Sequence, residues 1–254
     1  MNRLDKQKNR WHKIWNVALV GLLIIVFFGY AVSRIDHNWQ WARLLDYRVK
    51  FGYGFLITLA ISASSLLVSL LIGVVSAMGK RSSITFFRYL STFYIELIRG
   101  TPMLVQTLML FYLIGTAFRL NNRYVMGILI LSVFSGAYVS EIIRAGLESI
   151  PTAQLETARS LCFTRFQTYR YIILPQLARI VLPPLAGQLA SLVKDSSLLS
   201  FIAVNEFTKN VLEVDSITFT TFENYTLLAF GYLLITLPIS QLSRYLERKM
   251  HYEN

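Results

Sequence analysis

Lys194 and Asp195 stand side by side inside the apolar run from Leu177 to Val204, and Ser196 and Ser197 follow at once. A charge at the bilayer centre costs roughly 2.5 to 3.5 kcal/mol on insertion scales, so such residues face protein or water and are functional by default. Neighbours one apart on a helix do not face each other. Each charge therefore needs a partner elsewhere: a residue on a second helix, or the ammonium and carboxylate of a bound amino acid, with the two hydroxyls as further donors and acceptors. The competing reading has the pair only tying helices together or lying at the outer interface. Glu96 and Arg99, three apart in another apolar run, are placed to pair on one helix face. Gly100 and Pro102 just beyond them break a helix, freeing carbonyls that lipid tolerates only beside protein or a cavity. Glu141 and Arg144 repeat the three-residue spacing, and there a plain interfacial pair is the expectation.

Other chemistries find no support. A phosphate-binding loop G-x-x-x-x-G-K-[ST] is absent: Gly79-Lys80 has Val74 where the first glycine should stand, and Arg81 follows. The chain is therefore expected to be non-catalytic and unable to hydrolyse ATP by itself. His12, His37 and His251 are scattered, which suggests no metal site, and Cys162 is the only cysteine, which excludes an internal disulfide.

The elements that carry these residues belong in a membrane. Hydrophobic residues make up 54% of the 254, more apolar length than a soluble core of this size needs. Runs long enough for helical crossings occur at Ile14 to Ser33, Phe55 to Met78, Tyr89 to Phe118, Tyr124 to Ile143, Leu177 to Val204 and Tyr225 to Leu242. The prediction is an all-α polytopic membrane protein with about six transmembrane helices. The third and fifth runs exceed one crossing and are expected to tilt or break. Basic residues gather on alternate connections: Arg3 to Lys13, Lys80 to Arg88, Arg144 to Arg179 and Arg244 to Lys249. By the positive-inside rule these face the cytoplasm, as do both termini. The acidic segment with Glu206, Glu213, Asp215 and Glu223 faces outward by the same count. This pattern accounts for most of the net charge of +11, so nucleic acid is not expected as a partner. The first run, flanked by bases like a signal peptide, reads as a retained anchor because of its length.

The connection from Arg144 to Gln176 is too long for a turn. Pro151 suits a helix start, Thr152 to Leu161 holds good helix formers, and Phe163, Phe166, Tyr169 and Ile173 recur at helical spacing. Two short amphipathic surface helices are predicted, the second stopped by Pro175, offering a partner apolar anchors.

Glu156-Thr157-Ala158 followed by Ile172-Ile173-Leu174-Pro175 resembles the EAA loop by which ATP-binding-cassette importer permeases dock on their ATPase. The resemblance extends over roughly residues 54–248 to the polar amino acid family, which moves histidine, arginine, glutamate, glutamine, opines and similar solutes. It is carried by Gly54 with Thr58, Leu59 and Ser62, by Glu96 to Pro102 running on to Gln106, by Ala137-Tyr138 with Glu141, Arg144 and Gly146, and by Ser191 to Leu198. It implies a five-helix permease core over residues 51–249, with a coupling loop at 148–176. An extra N-terminal helix within 1–50 and a short tail at 250–254 flank it. It implies coupling residues Pro151, Gln154, Glu156, Thr157, Ala158 and Cys162, and pathway residues Glu96, Arg99, Lys194, Asp195, Ser196 and Ser197. The implied partners are two ATPase subunits that carry the ATP and Mg, an extracytoplasmic amino acid-binding protein, and membrane lipid in a prokaryotic inner membrane. A second permease completes the pathway.

Two departures stand out: Ala153 replaces the family's glycine before Gln154, and Cys162 replaces the glycine between the two short helices. A residue with a Cβ takes positive φ only at a cost on the order of 1 kcal/mol or more. The turn at Cys162 is therefore expected to be reshaped, and a heterodimer with a more regular homologous permease is favoured over a homodimer. The rival readings are an ion-gradient-driven secondary transporter, for which no duplicated pair of broken helices is evident, and a non-transporting membrane scaffold.

Overall fold

The computed structural model describes residues 3–251, with side chains from Trp15 onward except Val17 and His251. Among the described residues there is helix and no strand. The chain divides into two units, Met1–Gln40 and Trp41–Asn254. The first holds helix α1 (Arg3–Ser33), whose apolar part is Ala18–Ser33. Those bounds hold for the described residues alone; the expected first span begins at Ile14, whose side chain, like that of Val17, lies outside them.

In the second unit α2 (Trp41–Leu45) leads into α3 (Arg48–Lys80), α4 (Thr85–Gly100), α5 (Met103–Met109), α6 (Arg123–Glu148), α7 (Thr152–Ser160), α8 (Arg165–Thr168), α9 (Leu174–Asp195), α10 (Phe207–Thr218) and α11 (Thr221–His251). Among the described residues four stretches are long and apolar enough to cross a membrane: α3, α6, the continuous run Arg165–Ile202, and α11. The pair α4 and α5, bent by 112°, makes a fifth if counted as one broken span.

Apolar burial gains little where the surroundings are already lipid, so helices there associate through close packing and hydrogen bonds. The sequence of α3 supplies the means: Thr58, Ser62, Ser65, Ser69, Gly73 and Ser76 fall on one face and are buried. The partner helix α6 answers with Ser132, Ser135, Gly136 and Ser140. A Cβ on Gly73 would lie 2.5 Å from Val139 Cγ1, and one on Gly136 would lie 2.6 Å from Ile72 Cγ2, so glycine is what permits this approach. The Ser132 hydroxyl donates to Ile128 O at 2.6 Å within its own helix. Leu131, Leu192 and Leu199, all fully buried, close the centre where α6, α9 and the tight 3-10 segment Ser196–Ile202 meet α3.

The third apolar run breaks where its sequence places the break. Thr101, ahead of Pro102, is pushed to extended geometry (φ −121°, ψ 148°), as a residue before proline prefers. The acceptors left there are met by Gln106, whose Nε2 sits 2.7 Å from Ile98 O, 3.0 Å from Thr101 O and 2.7 Å from Thr101 Oγ1.

Pro175 does not stop the second surface helix. The run Arg165–Ile202 passes through it: the π-helical stretch Tyr169–Ile173, with the Leu174 N–H donating back to Tyr169 O, shifts the hydrogen-bond register immediately ahead of Pro175, which lies in the first turn of α9. Of the two predicted surface helices only α7 is separate, and α8 is the leading turn of a crossing.

Candidate translocation groove and coupling loop

Near its end, α9 brings Gln188, Ser191, Lys194 and Asp195 to a groove of about 330 Å³ completed by Phe134 and Tyr138 of α6. Among the described residues neither Lys194 nor Asp195 makes an ion pair. An ammonium and a carboxylate thus line one groove together with two aromatic rings, 5.1 Å apart between centroids. Ser196 and Ser197 turn their hydroxyls inward along the chain: Ser196 Oγ donates to Val193 O at 2.8 Å and Ser197 Oγ to Lys194 O at 2.6 Å, where the helix tightens. Ser196 is buried, and neither residue is among those lining the groove.

Glu96 and Arg99 do not pair. Glu96 is exposed, while Arg99 turns to α6, its Nη1 3.5 Å from Glu141 Oε2 and its guanidinium 5.6 Å from the centre of the Tyr138 ring. Three-residue spacing permits an intrahelical pair, but the carboxylate on the neighbouring helix wins because it is already a focus of charge. Glu141 also takes Lys80 of α3 at 2.9 Å and Arg144 at 2.9 Å, and Arg144 reaches on to Glu148 at 2.5 Å. The expected Glu141 and Arg144 pair is therefore the centre of a cluster that ties α3, α4 and α6 together. Through Arg99 and Tyr138 it adjoins the groove.

In the loop, Pro151 precedes α7 and Gln154 Oε1 accepts from Gln176 Nε2 at 2.7 Å, fastening α7 to the start of α9. Ala158 is 1% exposed, whereas Glu156 is exposed and makes no ion pair among the described residues. Thr157 Oγ1 donates to Ala153 O at 2.9 Å. The turn after α7 is not reshaped. Cys162 adopts φ 55°, its N–H donates to Arg159 O at 2.9 Å, and the Phe163 N–H donates to Ala158 O at 3.0 Å. This is a Schellman cap in full, with cysteine held in the glycine position.

A second buried polar centre escaped the sequence reading. Glu206, fully buried, caps α10 by accepting from the Thr208 and Lys209 N–H groups at 2.9 and 2.7 Å. It accepts as well from the Tyr232 hydroxyl at 3.1 Å and the Thr58 hydroxyl at 3.4 Å. Burial pushes its carboxyl up to about 7 against these four hydrogen bonds. Asn210, one turn on, donates to Lys50 O at 3.0 Å. In the sequence the only trace is an acid immediately before Phe207, Val211 and Val214 at helical spacing, the position of an N-cap.

A bundle of apolar crossings with one broken span, an internal charged groove and a short surface helix defines a polytopic membrane transport subunit. Residues 69–252 match the family described as "Binding-protein-dependent transport system inner membrane component", and the chain belongs to it. It is 35% identical over 197 residues to the "Probable glutamine ABC transporter permease protein GlnM" of Bacillus subtilis, covering 78% of this chain and 91% of that one. The "Glutamine transport system permease protein GlnP" of Escherichia coli is 34% identical over 199 residues, again with 78% and 91% covered. Among solved structures, a chain of an amino acid ABC transporter crystallised with histidines superposes with a TM-score of 0.77 at 34% identity, over 84% of this chain and 100% of that one. A chain of the MetNI methionine transporter, at 15% identity and a TM-score of 0.67, shares the fold, with 81% of this chain and 98% of that one covered.

Proposed function

We propose that this chain forms half of the translocation pathway of an ATP-driven importer for polar amino acids. The observation that carries the reading is the groove: Lys194 and Asp195, which make no ion pair with another described residue, complement the carboxylate and ammonium common to every amino acid, with Phe134 and Tyr138 beside them. The names of the relatives, glutamine permeases, support the same substrate class. Arg99, held between Glu141 and Tyr138, contributes from the broken span; Glu96, Ser196 and Ser197 belong to the proposed pathway set but lie outside the groove lining.

In this reading two ATPase subunits, which bind ATP and Mg, dock on residues 148–176. The exposed Pro151, Gln154, Glu156, Thr157 and Cys162 form the contact, Ala158 packs α7 onto the chain beneath it, and a binding protein delivers the solute from outside. The basic connections and both termini face the cytoplasm of a prokaryotic cell. A homologous permease rather than a second copy supplies the other half. ATP closure draws the loops together and opens the groove outward; hydrolysis resets it.

Affinity purification from the native membrane in mild detergent, with mass spectrometry of stoichiometric partners, tests this. Recovery of an ATPase and a second permease is expected. Recovery of the chain without an ATPase in several detergents contradicts the reading.

A further inference from the structure

Two cavities meet at the end of the molecule that carries α7. One, of about 580 Å³, is bordered by Arg81 from the turn after α3, Arg159 of α7 and Arg165 of α8, with no carboxylate in its lining. The other, of about 710 Å³, is almost wholly apolar, walled by α3, α6 and the start of α9, and includes Val74, Met78, Leu177 and Ala178. Arg81, Tyr169 and Ile173 border both, so the basic cleft opens directly into the apolar groove. Among the described residues the three arginines make no ion pair, although Glu156 lies on the same short helix as Arg159. On α3, Leu67, Leu71, Val74, Val75 and Met78 are exposed at helical spacing and lead in one stripe to Arg81.

A basic cleft joined end to end with an apolar groove is complementary to a molecule with an anionic head and a long apolar tail. Guanidinium groups recognise phosphate oxygens through paired N–H donors and hold the charge at every relevant pH. Both volumes lie within the range of about 300–1,000 Å³ usual for small-ligand sites. The geometry points to a site for one anionic diacyl phospholipid: its phosphodiester lies among Arg81, Arg159 and Arg165, and its acyl chains lie in the groove between α3, α6 and α9. Because Arg159 belongs to α7, the bound lipid ties that helix to the turn between α3 and α4. This site goes beyond the import reading and does not depend on which solute is carried.

The purified assembly, delipidated in detergent and then given dioleoyl phosphatidylglycerol or dioleoyl phosphatidylcholine, provides the test through native mass spectrometry of lipid retained per permease. Phosphatidylglycerol should be retained in preference, and the preference should fall about fivefold for each arginine removed among Arg81→Gln, Arg159→Gln and Arg165→Gln. Ala178→Phe, at an exposed position that lines the apolar groove and not the basic cleft, should lower retention of both lipids. Each variant is compared as the same assembled species by size exclusion. Equal retention of the two lipids overturns the proposal, as does a preference that survives the triple substitution. Loss of the ATPase from the arginine variants with lipid retention unchanged also overturns it, and assigns the cleft to an acidic protein surface.

Discussion

Cys162 holds a backbone conformation suited to glycine while carrying a side chain. The cap it completes uses every hydrogen bond of the motif, so the departure in sequence is absorbed as local strain and the turn keeps its shape. Cys162→Gly should therefore raise stability by about 1 kcal/mol, read as a higher midpoint of thermal unfolding in detergent. A lowered midpoint would show that the cysteine side chain contributes contacts worth more than the strain. Glu206 makes a pH prediction. The unfolded carboxyl titrates near 4.5 and the buried one near 7, so between these values the folded state binds more protons. The associated stability, about 3 kcal/mol, is fully present below about pH 4.5 and is lost as pH rises through 7. Glu206→Gln should flatten that part of the unfolding profile; an unaltered slope in the variant would place the titration elsewhere. With Glu213, Asp215 and Glu223, Glu206 reads in the sequence only as part of an acidic segment facing outward. Burial of Glu206 depends on Thr58 and Tyr232, far away in sequence, and no local pattern announces them.

At the scale of elements, local rules succeeded where the deciding physics is local. Gly100 and Pro102 announce the break in the third run, because a proline and its predecessor constrain backbone geometry whatever surrounds them. Pro175 misled for the complementary reason: a π-helical turn upstream changes which hydrogen bond it would have to make, and that turn has no sequence signature here. The pairing of Arg99 with Glu141 in place of Glu96 likewise depends on how α4 packs on α6. Gln106 was part of the recognised motif, yet its task is visible only once the chain has folded back over Ile98 and Thr101. Gln106→Leu removes the donor to buried acceptors and should destabilise the protein by about 2 kcal/mol or more. Thermal unfolding in detergent checks this, and an unchanged midpoint would mean water or lipid headgroups satisfy the break instead. The small residues of α3 carry a signal that periodicity does contain, since Thr58, Ser62, Ser65, Ser69, Gly73 and Ser76 repeat every three or four positions. Which helix they meet is not written there.

For the whole molecule, the separation of groove from loop makes a division of labour testable. Glu156 is exposed on α7, distant in sequence and element from Lys194 and Asp195, so its loss should leave the fold and the groove intact. Glu156→Ala in the assembled transporter should leave ATP hydrolysis running while uptake is lost. Normal uptake with unchanged substrate-stimulated hydrolysis would remove the loop from the coupling path. The central claim concerns direction and fuel, and one measurement addresses both: accumulation of radiolabelled glutamine, glutamate, histidine and arginine by proteoliposomes holding the purified assembly, its binding protein outside and ATP inside. Uptake of at least one of these solutes, dependent on ATP and abolished by Asp195→Ala, is the predicted result. Uptake driven by an imposed ion gradient without ATP, or none with a fully assembled and ATP-hydrolysing complex, would contradict it.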